Sequence, residues 1–139
     1  MAWENPTNER LKDILQTVKT IAVVGLSDNP ERTSHQIAKI MQENGYRIIP
    51  VNPTIDEVLG EKAYATLTDI PEKVDIINVF RRPEYLPEIA EEAAHTECRI
   101  FWAQQGIVNE DAYHYLKERD FEVIMDLCIK VVHAVLVKR

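Results

Sequence analysis

The sequence lacks the features of a secreted or membrane-spanning protein. It has two cysteines, Cys98 and Cys128, too few for a disulfide framework. No apolar run approaches the length needed to cross a bilayer, and the first residues carry no basic segment of the kind that opens a signal peptide. These absences favour a reducing compartment, and we expect a cytoplasmic protein.

Positive charge is also scarce, since 16 lysines and arginines against 23 aspartates and glutamates leave a net charge of −7. A surface of that sign repels nucleic acid and anionic membranes, so we expect neither as a partner. An anionic ligand would have to be held by local geometry and a few arginines. With 139 residues, 45% of them hydrophobic, the chain suffices for one ordinary core, and we predict a single domain over residues 1–139.

Short apolar runs alternate along the chain with amphipathic segments. The runs are rich in β-branched residues and predict strands, whereas the segments between them predict helices with one apolar face. The predicted strands are 21–24, 46–51, 75–80, 99–103 and 121–125, and the predicted helices are 5–18, 33–45, 83–96, 109–118 and 126–139. This order predicts an α/β, Rossmann-like three-layer fold with a five-stranded, mainly parallel sheet and helices on both faces.

Polar residues at the segment boundaries predict how the helices begin and end. We expect Asn5 and Asp126 to cap the first and last helices. Thr33 with Gln36 three residues later is typical of a capping box, and Gly45 is expected to close the same helix.

The stretch 54–74 has a looser pattern. Residues 55–59 are expected to form one helical turn and residues 62–65 a short extended piece. This irregular connection stands where many dinucleotide-binding folds have a full helix between the second and third strands.

The loops after the predicted strands carry many of the polar residues and prolines. In open α/β sheets a ligand binds beyond the carboxyl ends of the strands, where the strand order reverses. The leading candidate is the loop from Gly25 to Ser34, which joins a buried strand to a helix N-terminus. With Ser27, Arg32 and Thr33 it offers hydroxyls, backbone N–H groups and a guanidinium, a set that suits a pyrophosphate.

This loop departs from two common nucleotide-binding patterns. A dinucleotide fingerprint would have glycine where Ser27 and Pro30 stand, and an acidic residue where Asn52 follows the second strand. A triphosphate-binding loop, which ends in Gly-Lys-Ser or Gly-Lys-Thr, is absent from the sequence as well. The departures argue against NAD and leave a phosphate-holding turn whose nucleotide is open.

Five short motifs occur in order at the predicted strand ends. They are Gly25-Leu26-Ser27 with Arg32-Thr33-Ser34-His35, Val51-Asn52-Pro53, Val79-Phe80-Arg81-Arg82-Pro83, Trp102-Ala103-Gln104-Gln105-Gly106-Ile107 and Met125-Asp126-Leu127-Cys128-Ile129. In this combination the chain resembles the small stand-alone CoA-binding proteins of bacteria and archaea. These are similar in turn to the N-terminal domain of the succinyl-CoA synthetase α subunit. The resemblance spans nearly the whole chain.

The resemblance implies a Rossmann-like sheet with coenzyme A as its ligand. The implied binding residues are Gly25, Ser27, Arg32 and Ser34 around the phosphates, next to Thr33, then Asn52 and Pro53 as a second wall, and Phe80 with Arg81 at the adenine and ribose-phosphate end. Binding is implied without ligase chemistry, because the synthetase needs a second domain with a phosphorylated histidine, for which this chain has no room.

No nucleophile–base pair or metal-ligand set can be named in the sequence. We therefore predict a non-catalytic binding, carrier or regulatory protein for CoA or an acyl-CoA, with an unknown protein partner possible. Two alternatives stay open: an NAD(P)-dependent oxidoreductase-like enzyme, and a protein-interaction module with a decayed nucleotide site. Of the adjacent Arg81 and Arg82, Arg81 is expected to face the ligand, and Cys128 is expected to be buried rather than to meet the CoA thiol.

Overall fold

A five-stranded parallel sheet forms the centre of the fold in the computed structural model, which describes residues 2–137. The elements in chain order are α1 (Asn8–Thr17), β1 (Thr20–Val24), α2 (Thr33–Glu43), β2 (Arg47–Val51), β3 (Glu57–Val58), β4 (Glu61–Lys62), β5 (Ile76–Val79), α3 (Leu86–Ala94), β6 (Ile100–Ala103), α4 (Glu110–Lys117), β7 (Glu122–Ile124) and α5 (Ile129–Leu136). The sheet order is β2-β1-β5-β6-β7. The predicted α/β Rossmann-like class is confirmed, and the strand ends differ from prediction by at most one residue.

Both faces of the sheet are covered because its strands are apolar on both sides. In β1, Ala22 and Val24 pack into the layer that contains α3 and α4. Ile21 and Val23 point the other way and pack with α1, α2 and α5. Successive residues of a strand face opposite sides, so a continuous apolar run requires a helical layer on each.

The first helix begins later than predicted. Asn5 does not cap it: α1 starts at Asn8, and Thr7 is the N-cap, with its hydroxyl accepting a hydrogen bond from the Arg10 N–H at 3.2 Å. The Asn5 side chain instead donates to the Met125 carbonyl at 2.9 Å and accepts from the Met125 N–H at 2.8 Å. Local propensity predicted that Asn5 would cap the first helix, but its side chain bonds the backbone just after β7 instead.

The predicted capping box of α2 is wrong. Thr33 is the first helical residue, and Arg32 occupies the N-cap position without a side-chain capping hydrogen bond. The Gln36 amide donates to the carbonyls of Pro30 and Glu31, at 3.4 and 3.3 Å. Gly45 does close the helix as predicted, with φ at +99°.

The predicted cap of the last helix is also wrong. Cys128 occupies the N-cap position of α5, and it makes no side-chain capping bond. Asp126 adopts a left-handed conformation with φ at 61°, and its carboxylate accepts a hydrogen bond from the Gly106 N–H at 2.6 Å. Helix α5 ends at Leu136, and the remainder of the prediction, residues 138–139, lies outside the described residues.

The helical turn predicted at 55–59 is wrong, because the segment is half of a β-hairpin. Strands β3 and β4 pair antiparallel across Leu59 and Gly60, whose φ angles are 56° and 76°. Two consecutive positive φ angles make the mirror-image turn that matches the twist of paired strands. The extended piece predicted at 62–65 is present in part, since Tyr64 bridges to Val51 at the edge of the sheet.

The predicted helix over 83–96 is divided. Its first turn, Pro83–Tyr85, is a 3₁₀-helix, and α3 proper begins at Leu86. A second 3₁₀ turn, Leu67–Asp69, leads into β5. The 3₁₀ turn after β5 sets the position of Tyr85 at the carboxyl edge of the sheet.

Replacing Arg47 with alanine is expected to make the free energy of unfolding decrease less as the pH is lowered into the acid range. Arg47 donates to both carboxylate oxygens of Glu72, at 2.6 and 2.8 Å, which holds the pKa of Glu72 below its ordinary value. A lowered pKa adds stability above the unfolded value of about 4.3, and this stability is lost as the pH falls through the folded value. Urea titrations at neutral pH and in acid measure how much free energy of unfolding each protein loses. Since the pair is largely exposed, we expect the loss for wild type to exceed the loss for Arg47→Ala by less than about 1 kcal/mol.

Parallel stability–pH curves for wild type and Arg47→Ala would contradict this expectation. Lys39→Ala is the control, because Lys39 is exposed on α2 and its removal changes the net charge equally.

Candidate functional site

The strand order reverses at the carboxyl ends of β1 and β5. The chain leaves β1 for β2 on one side and later returns to place β5 on the other, so the loops after these two strands diverge. A cleft of about 760 Å³ opens there. Predicted site residues that line it are Gly25, Ser27, Arg32, Asn52, Pro53, Phe80 and Arg81.

Gly25 lies where the loop after β1 comes close to the loop after β5. Its φ is +87°, and its N–H donates to the Val51 carbonyl at 2.9 Å. A Cβ atom at this position would lie 2.8 Å from the Phe80 carbonyl oxygen and 2.9 Å from Arg81 Cδ. Glycine is therefore required here for two reasons: the backbone is left-handed, and a Cβ atom would clash with the loop after β5.

The loop after Gly25 is shaped by its own hydrogen bonds. The Ser27 hydroxyl accepts from the Asn29 N–H at 3.0 Å, and the Asn29 side chain accepts from the Glu31 N–H at 3.0 Å. The Ser34 hydroxyl accepts from the Ser27 N–H at 3.0 Å. His35 Nδ1 lies 3.0 Å from the Ser27 carbonyl, which can only accept, so this nitrogen carries a proton. Ser34 is buried and anchors the loop rather than lining the cleft.

Helix α2 presents its N-terminus to this loop without a side-chain cap. Arg32 stands at the N-cap position, exposed, and lines the cleft. The first N–H groups of a helix lack partners within the helix and carry a partial positive charge, which favours anions. Thr33, the first helical residue, lines a neighbouring cavity rather than the cleft.

Asn52 joins two walls of the cleft. Its Oδ1 accepts from the Thr54 N–H at 2.9 Å and from the Thr54 hydroxyl at 2.7 Å, and its Nδ2 donates to the Leu26 carbonyl at 3.0 Å. An aspartate would set a carboxylate against the Leu26 carbonyl, two acceptors with no proton between them. This explains why the acidic residue of dinucleotide sites does not stand here.

Two arginines, not one, follow β5 into the cleft. We expected Arg81 alone to face the ligand, but Arg81 and Arg82 both line the cleft. The Arg81 guanidinium lies over the Tyr85 ring, 4.7 Å from its centroid. Within residues 2–137, neither arginine nor Arg32 forms an ion pair with a carboxylate. Glu88 and Glu92 also line the cleft, and the Glu92 carboxylate accepts a hydrogen bond from the Leu67 N–H. Three arginines against two glutamates leave the cleft with a small positive charge on a chain of net charge −7.

Tyr85 is one of the lining residues that sequence reasoning missed. It is 37% exposed and lines the cleft from the 3₁₀ turn after β5. The signal available in the sequence was its position two residues after Pro83, which favours a turn at the carboxyl edge of the sheet.

A second cavity of about 470 Å³ adjoins the cleft and shares Phe80, Arg81 and Arg82 with it. Thr33 and Cys128 also line this cavity. Cys128 is buried, as expected. Because the two spaces share Phe80, Arg81 and Arg82, we refer to them together as the crevice at the carboxyl edge of the sheet.

The other titratable groups of interest lie away from this edge. Burial raises the pKa of the Cys98 thiol to about 11, and Cys98 stands just before β6 at the amino edge of the sheet. Among residues 2–137, no three histidine, cysteine or acidic side chains cluster closely enough to hold a metal ion. In the same part of the chain, no helix is long and apolar enough to span a membrane.

Comparisons with known proteins agree with this geometry. A family model described as a CoA binding domain matches residues 19–134. The uncharacterized protein YneT of Bacillus subtilis is 61% identical over 132 residues, which are 95% of this chain and 98% of that protein. The alpha subunit of the ADP-forming acetate–CoA ligase II of Pyrococcus furiosus is 39% identical over 57 residues, 40% of this chain and 12% of the subunit.

Solved structures share the whole fold. A hypothetical protein from Pyrococcus horikoshii superposes with a TM-score of 0.92 at 33% identity, over 99% of each chain. A protein from Thermus thermophilus has a TM-score of 0.91 at 37% identity, over 94% of this chain and 99% of that one. The fold of this chain is therefore represented by experimental structures.

Proposed function

The chain belongs to the CoA-binding domain family, and from that premise we propose that it binds coenzyme A or an acyl-CoA in the crevice at the carboxyl edge of the sheet. The observation that carries the proposal is the set of arginines in the cleft that form no ion pair. Arg32 and Arg81 lie there without carboxylate partners among the described residues, beside the uncapped N-terminus of α2. Unpaired guanidinium groups next to helix N–H donors suit the phosphates of CoA.

The shape of the loop supports the same ligand. Ser27, Ser34 and His35 hold the loop in one conformation through their mutual hydrogen bonds, so phosphate binding would not have to order it. In the proposal, the pyrophosphate lies between Gly25 and Arg32. The adenine and ribose-phosphate end lies toward Phe80 and Arg81.

We further propose that the protein binds without catalysing a reaction, as a carrier or as a regulator of a partner enzyme. In the ligase alpha subunit that resembles this chain, the matching segment makes up 12% of the length. A segment that is a small part of a larger ligase supports a binding module. The polar side chains nearest the loop already have structural tasks: His35 binds the Ser27 carbonyl and Asn52 binds Leu26 and Thr54.

Calorimetric titration with CoA, acetyl-CoA, NAD and NADP tests the proposal. We expect CoA or acetyl-CoA to bind and Arg32→Ala to weaken binding at least about tenfold, since a charge-assisted contact to phosphate is lost. Added salt should reduce the affinity of wild type more than that of the variant. Lys39→Ala removes the same charge from an exposed position of the same helix and should bind as wild type does.

Tight binding of NAD or NADP with no response to CoA would overturn the proposal in favour of an oxidoreductase-like enzyme. Absence of binding by all four compounds would favour a decayed site that serves protein interaction. Equal losses for Arg32→Ala and Lys39→Ala would show that overall charge, rather than the cleft, governs affinity.

A further inference from the structure

Gln104 is a buried polar residue at the carboxyl end of β6, and it is 4% exposed. Only the oxygen of its side-chain amide forms hydrogen bonds within residues 2–137. Its Oε1 accepts from the Ile129 N–H at 3.0 Å and from Asn78 Nδ2 at 3.2 Å. Because a backbone N–H can only donate, the contact with Ile129 fixes which end of the amide is oxygen. The Nε2 group, with two protons to donate, therefore points away from both partners.

Across residues 2–137, Gln104 Nε2 has no hydrogen-bond partner, although every fully buried side-chain nitrogen or oxygen in that range has one. The amide nitrogen must therefore reach a surface. Gln104 lines the second cavity, and we assign its amide nitrogen to the wall of this cavity. A buried amide held by its oxygen, with its donor turned into a cavity, is arranged to meet an acceptor there.

The rest of the second cavity is largely apolar. Ile37, Ile107 and Cys128 line it, and Phe80 and Arg81 connect it with the cleft. A ligand whose phosphates lie at the N-terminus of α2 can therefore extend over Phe80 into this space.

We propose that the second cavity receives the thioester end of an acyl-CoA, with the thioester carbonyl accepting a hydrogen bond from Gln104 Nε2 and a short acyl chain contacting Ile37 and Ile107. This inference rests on the proposed function and adds the class of ligand. Free CoA ends in a thiol, which is a much weaker acceptor than a carbonyl oxygen. The site therefore distinguishes acylated from free CoA, a property that suits a carrier or sensor of acyl-CoA.

The test compares the affinities of CoA and of short acyl-CoA esters such as acetyl-CoA and butyryl-CoA by calorimetry. We expect wild type to bind the esters about fivefold more tightly, the effect of one additional neutral hydrogen bond. Gln104→Glu keeps an oxygen for Ile129 and Asn78 but replaces the amide nitrogen with a second oxygen. We expect it to abolish the preference for esters. Gln16→Glu adds the same charge at an exposed residue of α1 that lines neither space and should retain the preference.

Ile107→Trp is the second variant, which fills the cavity and leaves unchanged the two groups that bond the Gln104 side chain, Asn78 Nδ2 and the Ile129 N–H. It should weaken ester binding more than CoA binding, even if Gln104→Glu does not fold. Equal affinity of wild type for CoA and its esters, or an ester preference that survives both variants, would overturn this inference while CoA binding stands. If neither CoA nor any ester binds to wild type, both the inference and the proposed function are overturned.

Discussion

Replacing Gly25 with alanine is expected to lower the free energy of unfolding by about 3 kcal/mol, with loss of the proposed CoA binding as a consequence. A left-handed conformation costs a residue with a Cβ atom about 1–2 kcal/mol. The new Cβ would also lie 2.8 Å from the Phe80 carbonyl oxygen, a backbone atom that cannot move aside without displacing the end of β5. Urea unfolding measures the loss, and titration with CoA measures its effect on the cleft.

Gly45→Ala is the matched control for this experiment. Gly45 has a similar φ of +99°, but a Cβ atom there would meet nothing within 4 Å. We expect it to cost only about 1 kcal/mol, the conformational part of the effect. The difference between the two variants isolates the contact between the loops after β1 and β5. Equal losses would mean that this close approach contributes nothing to stability.

Asn78→Asp is expected to destabilise the protein by about 3 kcal/mol at neutral pH, because it buries a charge without a donor. Asn78 is 2% exposed, and its Nδ2 donates to the Trp102 carbonyl at 3.1 Å and to Gln104 Oε1 at 3.2 Å. An aspartate would set its carboxylate against both oxygens. Rotation of the Gln104 amide would relieve one contact only by withdrawing the acceptor from the Ile129 N–H.

The cost of Asn78→Asp should grow with pH. Burial beside two acceptors raises the pKa of the new carboxyl in the folded state above its unfolded value of about 3.9. The folded state then binds more protons than the unfolded state, so stability falls as the pH rises above that unfolded value. Urea titrations at pH values near 5 and 7 should show the larger loss at the higher pH.

Asn29→Asp controls for the change in charge. Asn29 is exposed in the loop after β1, and its Oδ1 accepts from the Glu31 N–H, a role that a carboxylate retains. This variant should be close to wild type at both pH values. A loss for Asn78→Asp that did not depend on pH would rule out a buried carboxylate as its cause.

The segments that could be predicted from the sequence are those whose patterns are local. The runs Ile21–Val24 and Asp75–Phe80 correspond to the buried strands β1 and β5 within one residue, because a strand covered on both faces needs a continuous apolar run. The loop beginning at Gly25 lies at the carboxyl edge as expected, since parallel strands separated by helices must end at the same edge.

Three of the errors concern polar side chains that were predicted to cap helices. Asn5, Thr33 and Asp126 all have the chemistry of helix caps, and none of them caps the helix predicted for it. Asn5 is bound to Met125, and Asp126 to Gly106. Propensity describes what a side chain can do with its neighbours in sequence, but a distant backbone group of equal chemistry competes for the same atoms.

The sequence by itself determined the class of fold, the order of its elements and the segments that follow the strands, because hydrophobic periodicity and glycine positions are properties of the chain alone. Only the tertiary structure decided which side chains of those segments line the cleft. It placed Tyr85 and Arg82 at the cleft and gave Ser34 and Asn52 hydrogen bonds that shape the loops. Among residues 2–137, it also left the Nε2 group of Gln104 without a hydrogen-bond partner. These assignments depend on hydrogen bonds between residues distant in sequence, such as Asn78 and Gln104, and no local pattern records them.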